Sequence, residues 1–272
     1  MKQGSKQLGK AFLGLALGLV WLIPFYLMVT NSFKTKQEIF TNPLKFPEAF
    51  TFENYPEAFR QLDFIRTLAN SLLITVSSVI VIVIFSAMAA YALERIKSKF
   101  STITFMVFVA AMLVPFQSVM IPLVALFGKA QMLNQIGIIF MYLGFGGSMS
   151  IFLYHGAMKS IPRALDEAAI IDGASRWQVF WKVIFPMLKP TTVTVAVLNT
   201  MWIWNDYLLP SLVINSPTTQ TIPLKMFFFF GQYTKQWHLA LAGLTIAIIP
   251  VILSYFFAQK HIIKGVADGA VK

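Results

Sequence analysis

The sequence predicts an all-α integral membrane protein with six transmembrane helices and one helix–turn–helix elbow on the cytoplasmic side. Three observations predict it. Of 272 residues, 57% are hydrophobic and only 12% charged, against roughly 25% charged in a soluble domain. Mean hydropathy is +0.69, and a soluble chain this apolar could not cover its own surface. Six long apolar stretches alternate with short charged segments, and one such segment, DEAAIIDGASRWQVF at 166–180, patterns as two short helices.

The six stretches are 11–31, 68–92, 101–127, 136–156, 191–214 and 239–259. Each supplies the about 20 residues that a helix needs to cross hydrocarbon. The first follows Lys2, Lys6 and Lys10, as a secretory signal would, but it is long and no small-residue cleavage site closes it. It is expected to be retained. Residues 32–67 carry Pro43, Pro47, Pro56 and mixed charges, and read as an ordered extracytoplasmic loop or short helices. Pro115 and Pro122 in the third stretch and Pro250 in the sixth are candidate kinks. Asp206 and Pro210 interrupt the second half of the fifth, and 221–231, TIPLKMFFFFG, predicts a short extra helix at the interface.

Charge sets the orientation. Of 22 lysines and arginines, 14 fall in 1–10, 93–100, 157–190 and 260–272. The positive-inside rule therefore places both termini and the 157–190 loop in the cytoplasm. The net charge of +11 reflects this distribution and does not point to nucleic acid. With no cysteine, the chain has no disulfide, thiolate metal site or cysteine nucleophile. His155, His238 and His261 are scattered and make no metal spacing, which argues against a membrane enzyme. Apart from Asp206, the six stretches hold no Asp, Glu, Lys or Arg. Proton-coupled transport fits that inventory poorly, while sodium coupling through carbonyls and hydroxyls stays open. A neutral solute, with energy supplied from outside the membrane, fits it well.

The elbow spans 160–186. Ser160 is expected to cap a helix over 161–171, with Pro162 in its first turn. Asp166 and Glu167 suit the positive end of that helix. Gly173 stops it, Ser175 caps a second helix through Trp181, and Pro186 and Pro190 lead into the fifth span. Ala168 and Ala169 leave the backbone open to close approach. A small-residue helix with a few acids suits the groove of a partner protein. A helix resting on membrane lipid is the other reading, although such helices prefer Lys and Arg to acids.

Glu167-Ala168-Ala169, followed by Asp172-Gly173-Ala174 and later by Ile184, Pro186 and Pro190, resembles the EAA loop of ABC importer permeases. The string EAAIIDGASRWQVFWKVIFPMLKP, Asn54-Tyr55, Trp204-Asn205-Asp206 and the tail QKHIIKGVADGAVK are similar to the carbohydrate-uptake branch, in particular the maltose-permease G-type subunit. The resemblance covers nearly the whole chain. It implies the type I ABC importer permease fold, in a bacterial or archaeal plasma or inner membrane. It also implies a non-catalytic subunit that binds no cofactor of its own. The implied partners are a second permease subunit in a heterodimer, two ATPase subunits that bind ATP and Mg, and an extracytoplasmic solute-binding protein.

By the same resemblance, Glu167, Ala168, Ala169, Asp172, Gly173 and Arg176 form the set that docks on the ATPase, with Glu167 paired to a basic residue there. Gly265, Asp268, Gly269 and Lys272 in the tail 260–272 make a second ATPase contact; a basic tail near anionic lipid is the plainer reading. The loop 214–222, INSPTTQTI, matches in position one that meets the binding protein, though it also reads as an ordinary polar turn. Sugars are held by hydrogen bonds and aromatic faces, so Gln117, Asn199, Trp202, Trp204, Asn205 and Asp206 are the candidate pathway residues. Trp202 and Trp204 equally fit an interfacial aromatic belt, Asn199 a helix–helix hydrogen bond, and Asp206 a cap or docking contact. The substrate expected is a di- or oligosaccharide. A glycerol-phosphate or polyol permease of the same class and a self-contained secondary transporter are the alternatives.

Overall fold

A computed structural model describes the backbone of residues 2–231 and 235–270, with side chains described from Lys10 to Leu253 outside 232–234 and for Phe256 and Gln259 beyond it. Among the described residues the regular structure is helical: α1 (Lys2–Ser32), α2 (Lys36–Thr41), α3 (Asn54–Gln61), α4 (Phe64–Arg95), α5 (Lys99–Ala111), α6 (Phe116–Lys129) and α7 (Gln135–Met158). There follow α8 (Ala164–Ile171), α9 (Arg176–Val179), a π-helical segment (Phe180–Ile184), α10 (Phe185–Met187), α11 (Lys189–Asn205), α12 (Leu208–Val213), α13 (Ile222–Met226) and α14 (Trp237–Ala270). A single bridge, Phe230 to Lys235, is the extent of the β pairing among the described residues.

Among the described residues three helices, α1, α4 and α7, are long and apolar enough to span a membrane unbroken. The third and fifth expected spans differ. Residues 101–127 are not one helix: α5 and α6 meet at 106°. Pro115 has no N–H to donate and pushes Val114 out of the helical region. The chain closes α5 with tight turns from Leu113 and Val114 to Ala110 and Ala111 and restarts after Pro115. Pro122 and Pro250 sit inside continuous helices. Likewise 191–214 breaks at Asp206, whose backbone is extended. Its Oδ1 accepts from the N–H groups of Leu208 at 2.9 Å and Leu209 at 3.4 Å, so it opens α12. The extra helix expected in 221–231 forms as α13 with a 3-10 turn over Phe227–Phe229.

The chain divides into two compact units, Met1–Phe64 with Lys225–Leu253 and Ile65–Leu224 with Ser254–Lys272. In the first, Gly243 lies where a Cβ would press on Leu62, Met226 and Phe229 at 3.0–3.2 Å, so its lack of a side chain permits that packing. Polar residues hold its outer segment. Asn54 donates to the carbonyls of Ser32 and Lys34 at 2.8 and 2.9 Å, and Ser32 shares a 2.7 Å bond with the Tyr55 hydroxyl. Lys34 is 0% exposed and donates to Asn31 Oδ1 and the Asn42 carbonyl. Burial pushes its pKa below that of an ordinary lysine, against the pull of Glu38.

The second unit has a continuous core of Ile82, Met141, Tyr142, Tyr154, Met158, Ile184 and Leu188, drawn from α4, α7 and the segment leading into α11. Polar contacts stitch its helices. Asn199 on α11 donates to Ser150 on α7 at 3.1 Å, and Tyr154 donates to Thr192 at 3.0 Å.

Candidate functional site

The elbow lies within the second unit. Its first arm starts later than expected. Ser160 does not cap α8: its hydroxyl donates to the Ala157 carbonyl at 2.7 Å and so finishes α7. The chain turns through Ile161 and Pro162, and α8 begins at Ala164 with no side-chain cap. Gly173 has φ of +87°, the left-handed conformation that lets the helix stop and the chain reverse. Ser175 then caps α9 in a full capping box: its Oγ accepts from Gln178 N, and Gln178 Oε1 accepts from Ser175 N at 2.8 Å. Trp177, Phe180, Trp181 and Phe185 form an aromatic ladder along the second arm, with rings 4.9–5.8 Å apart. The arm bends by 77° into α11.

The two neighbouring acids of α8 face opposite ways. Asp166 is buried, 6% exposed. Glu167 is exposed, with Arg163 at 3.7 Å one turn back. Ala168, Asp172, Gly173 and Arg176 are exposed and Ala169 is half-buried. Ile171 at 84% and Trp177 at 59% stand in the open on the same elbow. A hollow of about 380 Å3 lies between the arms, lined by Ala169, Asp172, Gly173, Ala174, Gln178, Lys182 and Val183. An exposed isoleucine and tryptophan beside small residues form an open apolar surface with acids within it.

The pathway candidates separate. Asn199 is buried on the α7–α11 seam. Trp202 packs edge-on against Tyr142 at 5.4 Å, and Tyr142 donates to Asp206 Oδ2 at 2.9 Å. Tyr142 thus joins Trp202 and Asp206 into one cluster. Asn205 is exposed and donates back to Met201 O at 2.7 Å. Trp204 is half-buried, and Gln117 is exposed in the first turn of α6. Gly265, Asp268 and Gly269 fall on the backbone of α14 with side chains outside the described residues, and Lys272 lies outside them altogether. Sequence reasoning missed Tyr142, which sits in an apolar run, and two residues of α4 that hold Asp166: Tyr91, whose hydroxyl donates to Oδ1 at 2.7 Å, and Arg95, whose Nη2 lies 2.8 Å from Oδ2. The signal available was an arginine one turn beyond a tyrosine at the end of a span. Among the described residues no group of His, Asp and Glu is placed to hold a metal ion.

Residues 82–268, which contain the elbow and both broken spans, match the family model described as binding-protein-dependent transport system inner membrane component. The chain belongs to that family. This inner membrane component is 57% identical over 261 residues to a probable starch degradation products transport system permease protein of Thermoanaerobacterium thermosulfurigenes, covering 96% of this chain and 95% of the relative. It is 38% identical over 267 residues to a multiple sugar-binding transport system permease protein of Streptococcus mutans, covering 94% and 93%. A solved bacterial ABC transporter, involved in import of the acidic polysaccharide alginate, matches with a TM-score of 0.77 at 23% identity, over 94% of this chain and 97% of that one. At that identity the likeness is one of fold, and the fold is that of an ABC importer permease.

Proposed function

We propose that this chain is one of two permease subunits of an ATP-driven importer for a di- or oligosaccharide, forming half of the translocation pathway. ATP and Mg belong to two partner ATPase subunits, and an extracytoplasmic binding protein delivers the sugar. Both termini and the elbow face the cytoplasm. The substrate class is supported by the relatives named for starch degradation products and multiple sugars. The coupling reading is carried by one observation: the elbow turns on Gly173 at φ +87° and leaves Glu167, Ala168, Ile171 and Trp177 exposed on it. Glu167 meets a basic residue of the ATPase, and Ala168 lets the two surfaces close.

The absence of native cysteine makes the test clean. An Ala168→Cys chain is produced with the ATPase subunits and probed with a short thiol cross-linker. A cross-link that changes with nucleotide is the expected result; a cysteine shielded by lipid and silent toward the ATPase would sink the docking reading. In the same assembly, Glu167→Lys and Gly173→Pro lower sugar uptake by about tenfold, the scale of a lost coupling interaction. Membrane insertion is unchanged in both.

A further inference from the structure

We propose that Tyr91, Arg95 and Asp166 form the joint through which the elbow moves α4. Arg95 and Asp166 act as positioning residues for coupling, and neither contacts a partner. The proposal rests on the docking role of the elbow given above.

The elbow is covalently continuous with α7 at one end and α11 at the other. It has no direct chain connection to α4, yet the last two turns of α4 touch both of its arms. Arg95 Nε donates to Asp166 Oδ1 at 3.2 Å, and its Nη2 lies 2.8 Å from Oδ2. The same Nη2 donates to the Ile161 carbonyl at 3.3 Å, in the turn that leads into α8. Tyr91, one turn back on the same face of α4, donates its hydroxyl to Asp166 Oδ1 at 2.7 Å. Its ring lies 5.4 Å from that of Phe180, where the π-helical segment of the second arm begins. Beside them, Glu94 meets His155 of α7 at 3.1 Å. Asp166 also stands in the first turn of α8, where a carboxylate is favoured by the helix dipole.

A buried ion pair is a weak source of stability, because desolvation offsets most of the attraction. Apolar residues would hold the same surfaces together as well. What the polar joint adds is direction: Asp166 Oδ1 accepts from both Arg95 and Tyr91 while Arg95 also reaches the Ile161 carbonyl, and hydrogen bonds from several sides fix orientation as well as distance. Apolar surfaces slide; this junction carries the end of α4 with α8. The division of labour between the two acids follows, with Glu167 turned outward and Asp166 inward.

The far end of α4 gives the motion a destination. Asn70 donates to the carbonyls of Thr218 and Gln220 at 2.9 and 3.0 Å. Ser71 Oγ accepts from Ile222 N at 2.9 Å. Gln135 braces Asn70 from α7 at 3.1 Å. From Asn70 to Arg95 the helix runs about 38 Å at 1.5 Å per residue. One rigid helix thus holds the elbow at one end and the 218–222 segment at the other.

The test uses the full assembly with its ATPase subunits and compares Asp166→Asn with the apolar double variant Arg95→Met/Asp166→Leu. Three quantities are read in each: the Ala168→Cys cross-link, ATP hydrolysis and sugar uptake. The joint predicts that both variants keep the cross-link and hydrolyse ATP within about twofold, while uptake falls about tenfold. A structural strut predicts otherwise, because the apolar pair would repair it. Native uptake in the double variant or in Asp166→Asn overturns the joint, as does hydrolysis that falls in step with uptake in Asp166→Asn. Loss of the cross-link in the chain with the ion pair intact is a different failure, that of the docking reading itself.

Discussion

α1 and α7 are both long enough and apolar enough to cross a bilayer, and α1 is the more apolar of the two. None of the apolar window of α1 is buried, while half that of α7 is. The difference lies in small and polar residues. Lipid tails are as apolar as leucine, so hydropathy inserts a helix without packing it; close backbone approach and hydrogen bonds do the packing. In α7, Gly137, Gly146, Gly147, Ser148 and Ser150 are buried. In α1, Gly14 and Gly18 have nothing within 4 Å of the space a side chain would fill. α1 is held instead where it leaves the membrane, through Asn31, Ser32 and Lys34.

The largest expected effect comes from breaking the packed helix. A Cβ at Gly146 would collide with Asn199 Oδ1 and lie 2.8 Å from Ile82 Cδ1. Gly146→Val should therefore cost about 1–3 kcal/mol, read as a lower unfolding midpoint of the purified chain in detergent. An unchanged midpoint would mean that the α7–α11 seam is looser than these distances allow. Next comes the anchor of α1. Asn54→Ala strips two buried carbonyls of their donor and should cost about 1–2 kcal/mol, checked by faster proteolysis within 33–53. If that segment stays as resistant as before, the α1 exit is not held by Asn54. The smallest effect tests the open helix. Gly18→Leu should leave the isolated chain within about 0.5 kcal/mol of native. A loss that appears only when the proposed second permease subunit is present would show that this subunit covers α1.

Much of the fold was legible because insertion is written in composition, and the Gly173 turn and Ser175 cap because their chemistry is local. Breaks were harder. Pro115 and Pro122 look alike in sequence, yet one ends a helix and the other lies inside one. The outcome depends on whether neighbouring groups can satisfy the freed backbone. Ser160 misled because a hydroxyl between two helices can serve either, and here it bonds backward to Ala157. The partition of Asp166 from Glu167 was invisible, since it is decided by Arg95, 71 residues away in the chain. Asn199 and Asp206 were singled out as polar groups in an apolar run. Tyr142, which ties Asp206 to Trp202, offered no such contrast.

The bend at Pro115 bears on where oil can lie against this protein. Proline brings no N–H, and although Ser118 N donates to the Pro115 carbonyl at 3.0 Å, the first amides of α6, those of Phe116 and Gln117, have no intrahelical carbonyl behind them. No side chain caps that helix, and Leu113 beside the bend is 83% exposed. Hydrocarbon cannot satisfy such a backbone; only protein or water can. The surface of this greasy hairpin therefore divides in two, a part that tolerates acyl chains and a part around residues 112–117 that has to be wet or covered. The border between them maps the edge of the lipid bath.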